Sequence, residues 1–116
     1  MASKFQQKIK LMKKDEDGKY KSQQFTSAEF LPGPVMEQAT ELQLKMDKAT
    51  ENNDMDQLRD ALRDCYEFIG DVIFEGQFTG EEYLNGMDAR EVVDITGKML
   101  ASVTAGYDRT YADQKK

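Results

Sequence analysis

Two complete helix-start signals fall in the single stretch from Gln77 to Glu91, and nothing else in the chain restricts the fold as much. Thr79 followed by Glu82 reads as a capping box. The threonine hydroxyl accepts from the third amide of the helix, and the glutamate returns to the amide of the cap. Asp88 followed by Glu91 repeats the arrangement. A candidate hydrophobic staple flanks each cap, Phe78 with Tyr83 and Met87 with Val92. Between the two caps, Gly86 stands where a short helix ends on a left-handed residue. One short helix must therefore stop, and a longer one begin, at a defined angle.

The helices predicted before this run carry heptad-like seams. Pro34 suits a first helical position, and from there Val35, Ala39, Leu42, Met46 and Ala49 follow a 4-3-4-3 spacing on one face. Residues 51–54 read as a connector, with Asn53 a candidate cap. In the next helix Met55, Leu58, Leu62, Cys65, Ile69 and Val72 follow a 3-4-3-4-3 spacing. Ala61, Tyr66, Phe68 and Ile73 widen its apolar arc, so this helix is expected to pack on more than one side. The short connector predicts an antiparallel pair, and Gly76 ends the second helix. After a short helix over 80–85, a final helix is predicted from about Ala89 to Ala105, with Val92, Ile95, Thr96, Met99, Leu100 and Val103 buried. Gly97 costs that helix about 1 kcal/mol relative to alanine, which signals either close packing there or a weak spot. Residues 106–116 read as a mobile polar tail.

The N-terminal segment has a different period. Phe5, Ile9 and Leu11 alternate with Lys4, Lys8 and Lys10, the pattern of a half-buried strand. Residues 13–18 read as a turn with Gly18 at positive φ, and residues 19–26 as the return strand. A lone hairpin is marginal in water, so it must dock on the helices or gain strands from another copy. The expected fold is mainly α (α+β): a single domain over 1–116, with a β-hairpin at about 4–26 followed by a bundle of three to four helices over 34–105. A chain of 116 residues, 39% apolar, supports one modest core.

Charge and composition narrow the function. Residues 1–26 carry seven lysines against Asp15, Glu16 and Asp17, a net +4. The rest carries nine basic against nineteen acidic residues, −10, for −6 in all. An acidic body argues against a nucleic-acid backbone as partner. The basic hairpin is the only candidate patch, and lysines there also serve to block unwanted strand pairing. No run approaches the roughly 20 apolar residues of a membrane span, and the first residues lack the apolar stretch of a secretory signal. The single cysteine, Cys65, fits a reducing compartment.

Catalytic chemistry has little to work with. The chain has no histidine, the commonest general base and metal ligand. Cys65 falls on an apolar seam, as an inert core thiol does. An EF-hand reading of Asp15-Glu16-Asp17-Gly18 fails, because it places Lys13 and Gln24 where carboxylates are required. No metal or cofactor site is read, and the chain is expected not to be an enzyme. Surfaces for partners remain. Met36, Met46, Met55, Met87 and Met99 lie on or beside helical seams, where they either fill the core or adapt to an irregular client. Leu44 projects about 180° from the seam of its own helix. Met36, Leu44, Tyr66 and Phe68 are the partner-contact candidates, with Tyr66 and Phe68 equally suited to the core. Leu44→Asp is expected to spare the fold and weaken client binding.

The runs Phe68-Ile69-Gly70-Asp71-Val72-Ile73-Phe74-Glu75-Gly76-Gln77-Phe78-Thr79 and Glu82-Tyr83-Leu84-Asn85-Gly86-Met87-Asp88-Ala89-Arg90-Glu91 resemble the tail assembly chaperones of long-tailed bacteriophages. With the lysine-rich hairpin and the last helix, the likeness covers about residues 3–105. It implies a protein of the bacterial host cytoplasm that binds the tape measure protein, a long helical chain, and keeps it soluble while the tail tube forms. It also implies departure before the virion is complete, weak self-association, and in many members a longer product made by ribosomal frameshifting. The codons of Lys115-Lys116 can supply an A-rich slippery stretch, and an extension made there would recruit the tail tube protein. Two other readings compete with this one: an acidic adaptor or inhibitor that mimics nucleic acid, and a structural subunit retained in the tail.

Overall fold

The computed structural model describes residues 6–114. Strands β1 (Lys8–Lys14) and β2 (Tyr20–Thr26) form an antiparallel hairpin. Helices α1 (Gly33–Glu51), α2 (Met55–Phe68), α3 (Gly80–Gly86) and α4 (Val92–Gln114) follow, with a π-helical segment at Ile69–Ile73 extending α2. This is the hairpin-plus-helices architecture that the two periodicities predict. Ile9 and Leu11 are buried while Lys8 and Lys10 are exposed. Phe5 and Lys4, assigned to the same two faces, lie outside the described residues.

The hairpin closes on Asp15, whose Oδ1 accepts from the amides of Asp17 and Lys19, each at 2.9 Å. Gly18 takes φ 82° there. The hairpin docks on its own helices. Gln77 Nε2 donates to Thr26 O at 2.7 Å, the Ala28 amide to Ile73 O at 2.9 Å, and Phe25 meets Phe78 edge-on at 5.0 Å.

Gly86 departs from its predicted role. It is the last residue of α3, with no positive φ, and Met87 follows in extended conformation. Its lack of a side chain serves close approach instead. A Cβ would lie 2.9 Å from Leu11 Cβ and from Met12 O, so β1 rests on the end of α3.

The α1 seam is buried at Val35, Ala39 and Ala49 and half-buried at Leu42 and Met46. Lys45 pairs with Asp64, and the Cys65 thiol donates to Met46 Sδ at 3.8 Å. Farther back on α1, Gln38 and Leu42 share a groove with Phe68 and Val72. Such pairing, with early residues opposite late ones, is antiparallel. The cap of α2 is Asp54, not Asn53: its Oδ1 accepts from the amides of Asp56 (3.0 Å) and Gln57 (3.1 Å). Asn53 instead makes the left-handed turn at φ 54°.

Beyond Phe68 the ladder widens. Phe74 N donates to Ile69 O (2.9 Å) and Gly76 N to Gly70 O (2.8 Å), with Gly76 at φ 78°. Helical periodicity carries no signal for this change. Gly70 lets the chain return past this segment, because a Cβ there would stand 2.5 Å from Phe78 O.

The first capping box forms as predicted. Glu82 N donates to Thr79 Oγ1, and Thr79 N to Glu82 Oε1, each at 3.0 Å. Its staple is a stacked pair, with the Phe78 and Tyr83 rings 6.0 Å apart and 18° from parallel. Met87 and Val92 of the second staple both join the core. The second cap is built differently. Asp88 Oδ1 accepts from the Arg90 amide at 2.8 Å, and its carboxylate grips the Arg90 guanidinium through Nε (3.0 Å) and Nη2 (2.8 Å). No return from Glu91 occurs among the described hydrogen bonds. The guanidinium holds the Asp88 carboxyl down at about 2. A turn occupies 89–91, so α4 begins at Val92 and not Ala89.

The predicted stop at Ala105 is absent. α4 continues through Gly106 to Gln114, since one glycine costs a helix only about 1 kcal/mol. Lys115 and Lys116 lie outside the described residues. Gly97 has nothing within 4 Å of where a Cβ would sit, which removes close packing as its explanation. Gly97→Ala should therefore raise stability by about 0.5–1 kcal/mol, read as a higher urea midpoint. A lower midpoint would show that the position is constrained after all.

Candidate functional site

Among the described residues, the second helix is not covered along its whole length. α3 starts against Glu67, whose backbone N would stand 2.9 Å from a Cβ on Gly80, so it shields the C-terminal half of α2. The apolar arc continues past that cover. Met55, Leu58, Leu62 and Tyr66 from α2, with Leu84 from α3, line an open groove of about 350 Å³. Met55 is 68% exposed and Leu84 38%, while Leu58 and Leu62 are half-buried. Spacing placed Met55 on the inward seam; its position in the first turn, ahead of α3, leaves it outside.

Tyr66 lines this groove from the α2 side. It is 6% exposed, with its ring 5.4 Å from that of Tyr83. Burial first, and then Cys65, raise its phenol above the usual range, while Arg63 opposes the shift. Arg59 and Arg63 form part of the wall. A second depression of about 370 Å³ shares Arg63, Tyr66 and Leu84 and adds Glu67 and Glu81, so the two join.

Two other concavities hold charged residues of both signs. Leu42, Phe68 and Val72 floor one of about 480 Å³ between α1 and α2, beside the Lys45–Asp64 pair. Asp64 also raises the Lys45 ammonium. The other, of about 460 Å³, lies between the hairpin and α3, with Leu11, Phe25 and Phe78 among Lys13, Lys14 and Glu82.

The four predicted contact residues do not form one site. Leu44 is 62% exposed, as its place opposite the α1 seam implies, and lines none of these grooves. Met36 is half-buried on α1, with its carbonyl accepting from Thr40 Oγ1 at 2.9 Å. Tyr66 lies in the α2–α3 groove and Phe68 in the α1–α2 groove. Sequence reasoning missed Leu84, Arg59 and Arg63. Adjacent Tyr83 and Leu84 cannot both point inward from a seven-residue helix, and two arginines four apart are conspicuous in an acidic chain. Those were the available signals.

Reactive chemistry is muted. Cys65 is fully buried, and burial, then Asp64, push its thiol up to about 11. Burial pushes the Tyr83 phenol up to about 12. Both groups keep protons in the folded state that the unfolded chain releases at ordinary values of 9.0 and 10.0. Their contribution is complete below those values and disappears as pH climbs through the folded ones. Melting temperature should hold to about pH 8.5 and fall continuously above it; a flat profile to pH 11 in calorimetry would contradict this.

The family model described as phage tail chaperone protein matches residues 4–116. Comparisons with curated proteins and with solved structures find no match.

Proposed function

Because this chain belongs to the phage tail chaperone family, we propose that it acts during tail assembly by binding the tape measure protein. It covers apolar helical stretches of that client, keeps them soluble, and is displaced as the tail tube polymerises around them. The role needs no catalysis and places the protein in the host cytoplasm, outside the finished virion. The observation that carries the reading is the partly uncovered α2–α3 groove, a shape suited to an amphipathic helix. An acidic body around it keeps a chaperone–client complex soluble.

Many copies per client are required, because the client is long. Weak lateral association through the hairpin is part of the proposal: β2 carries Lys21 as its only charge, which leaves its outer edge lightly protected. Contacts from Leu44, Met36 and Phe68 supplement the groove. Co-expression tests the whole reading. The tape measure protein should be soluble only in the presence of this chain and should co-purify with it, while purified virions should lack the chain. High copy number in virions would favour a structural tail subunit. Co-purification with a DNA-binding enzyme instead of the tape measure would favour a nucleic-acid mimic.

A further inference from the structure

The α2–α3 groove carries a charge gradient as well as an apolar floor. Arg59 and Arg63, both exposed, stand one helical turn apart along its first part. Arg63 borders the adjoining part as well, where Glu67 and Glu81, also exposed, stand beyond Tyr66. The cations of the ion pairs among the described residues are Lys21, Lys45, Arg90 and Lys98. Arg59 and Arg63 belong to none of them, although Asp60 and Glu67 stand within one turn of Arg63. In a chain of net charge −6, two unpaired guanidinium groups beside an apolar floor are a directed feature. Guanidinium matches carboxylate geometry well.

The geometry points to an occupant of defined chemistry: a partner chain's amphipathic helix, with carboxylates flanking its first turns and lysines or arginines its last. Its N-terminal end lies at Arg59 and Arg63 and its C-terminal end at Glu67 and Glu81, so it runs parallel to α2. Helices with acidic first turns and basic last turns are stabilised by their own macrodipole, so such an occupant is a good helix in its own right. From Met55 to Tyr66 α2 rises roughly 16 Å, which accommodates about three turns of the guest. Charge thus sets direction, and the apolar floor supplies most of the affinity. The inference rests on reading this groove as the docking site and specifies what it selects.

Two labelled synthetic peptides of about 18 residues test it by titration against the full chain. Both carry leucines at 3-4 spacing; one has glutamates in its first two turns and lysines in its last two, and the other has these exchanged. The acid-first peptide should bind about tenfold tighter at low salt, with the gap narrowing in high salt. Arg59→Glu with Arg63→Glu leaves carboxylates along the whole groove and should erase the difference between the peptides, and circular dichroism should show an unchanged helical fold. For the unsubstituted chain, equal affinities, the opposite ranking or no binding of either peptide would each overturn the inference, as would a gap unmoved by the double substitution. Self-association abolished by Met55→Asp would assign the groove to a second copy and overturn it too. A chain that ranks the peptides as stated yet leaves the tape measure protein insoluble contradicts the proposed function alone. One that keeps the client soluble while binding both peptides equally contradicts this inference alone.

Discussion

Replacing Tyr83 by alanine should cost about 4 kcal/mol of stability, whereas Tyr83→Phe should cost about 1. Tyr83 is wholly buried, with its ring against those of Tyr66 and Phe78. Truncation opens a cavity among Tyr66 of α2, Phe78 and Thr96 of α4. Loss of the hydroxyl alone is milder for a specific reason. Thr96 Oγ1 donates its proton to Val92 O at 2.6 Å, so in the 2.9 Å contact between the two hydroxyls Tyr83 is the donor. In the phenylalanine variant Thr96 keeps its own bond, and no buried donor is stranded. Urea unfolding of the three proteins checks the ratio. Equal losses for both substitutions would show that the hydrogen bond, and not the ring packing, dominates this site.

The second large effect concerns the client. Met55→Asp combined with Leu84→Asp should abolish most retention of soluble tape measure protein in co-expression. Both positions are exposed, so the fold should tolerate the change. Two carboxylates on the groove floor leave a docked apolar helix facing charges without partners, which costs several kcal/mol of binding. Leu44→Asp adds charge at a 62% exposed position outside the groove and should weaken retention much less. Retention undiminished by the groove pair, or a larger loss from Leu44→Asp, would move the docking surface to the outer face of α1.

The hairpin, the α1 and α2 seams, the Thr79–Glu82 box and the buried side of α4 were all legible, because periodicity and capping chemistry are local. Gly86 and Gly70 were not. Each is glycine because a distant segment, β1 in one case and Phe78 in the other, passes within contact distance, and no local pattern records such a neighbour. Asn53 and Asp54 were separable only by which side chain reaches the first amides of α2. The groove was half visible. The arc on α2 was evident, but spacing alone cannot say that α3 stops short of Met55 and Leu58. Tyr66 entered the site from sequence, whereas Leu84 needed the angle at which α3 crosses α2.

Methyl NMR of the chain titrated with a helical fragment of the tape measure protein tests the central claim most directly. The methyl signals of Met55, Leu58, Leu62 and Leu84 should shift together and saturate, while those of the buried Ile69, Ile73 and Leu100 stay within a narrow range. Shifts confined to the hairpin or to Leu44, or no shifts at all with a fragment that the full protein keeps soluble, would contradict docking in the α2–α3 groove.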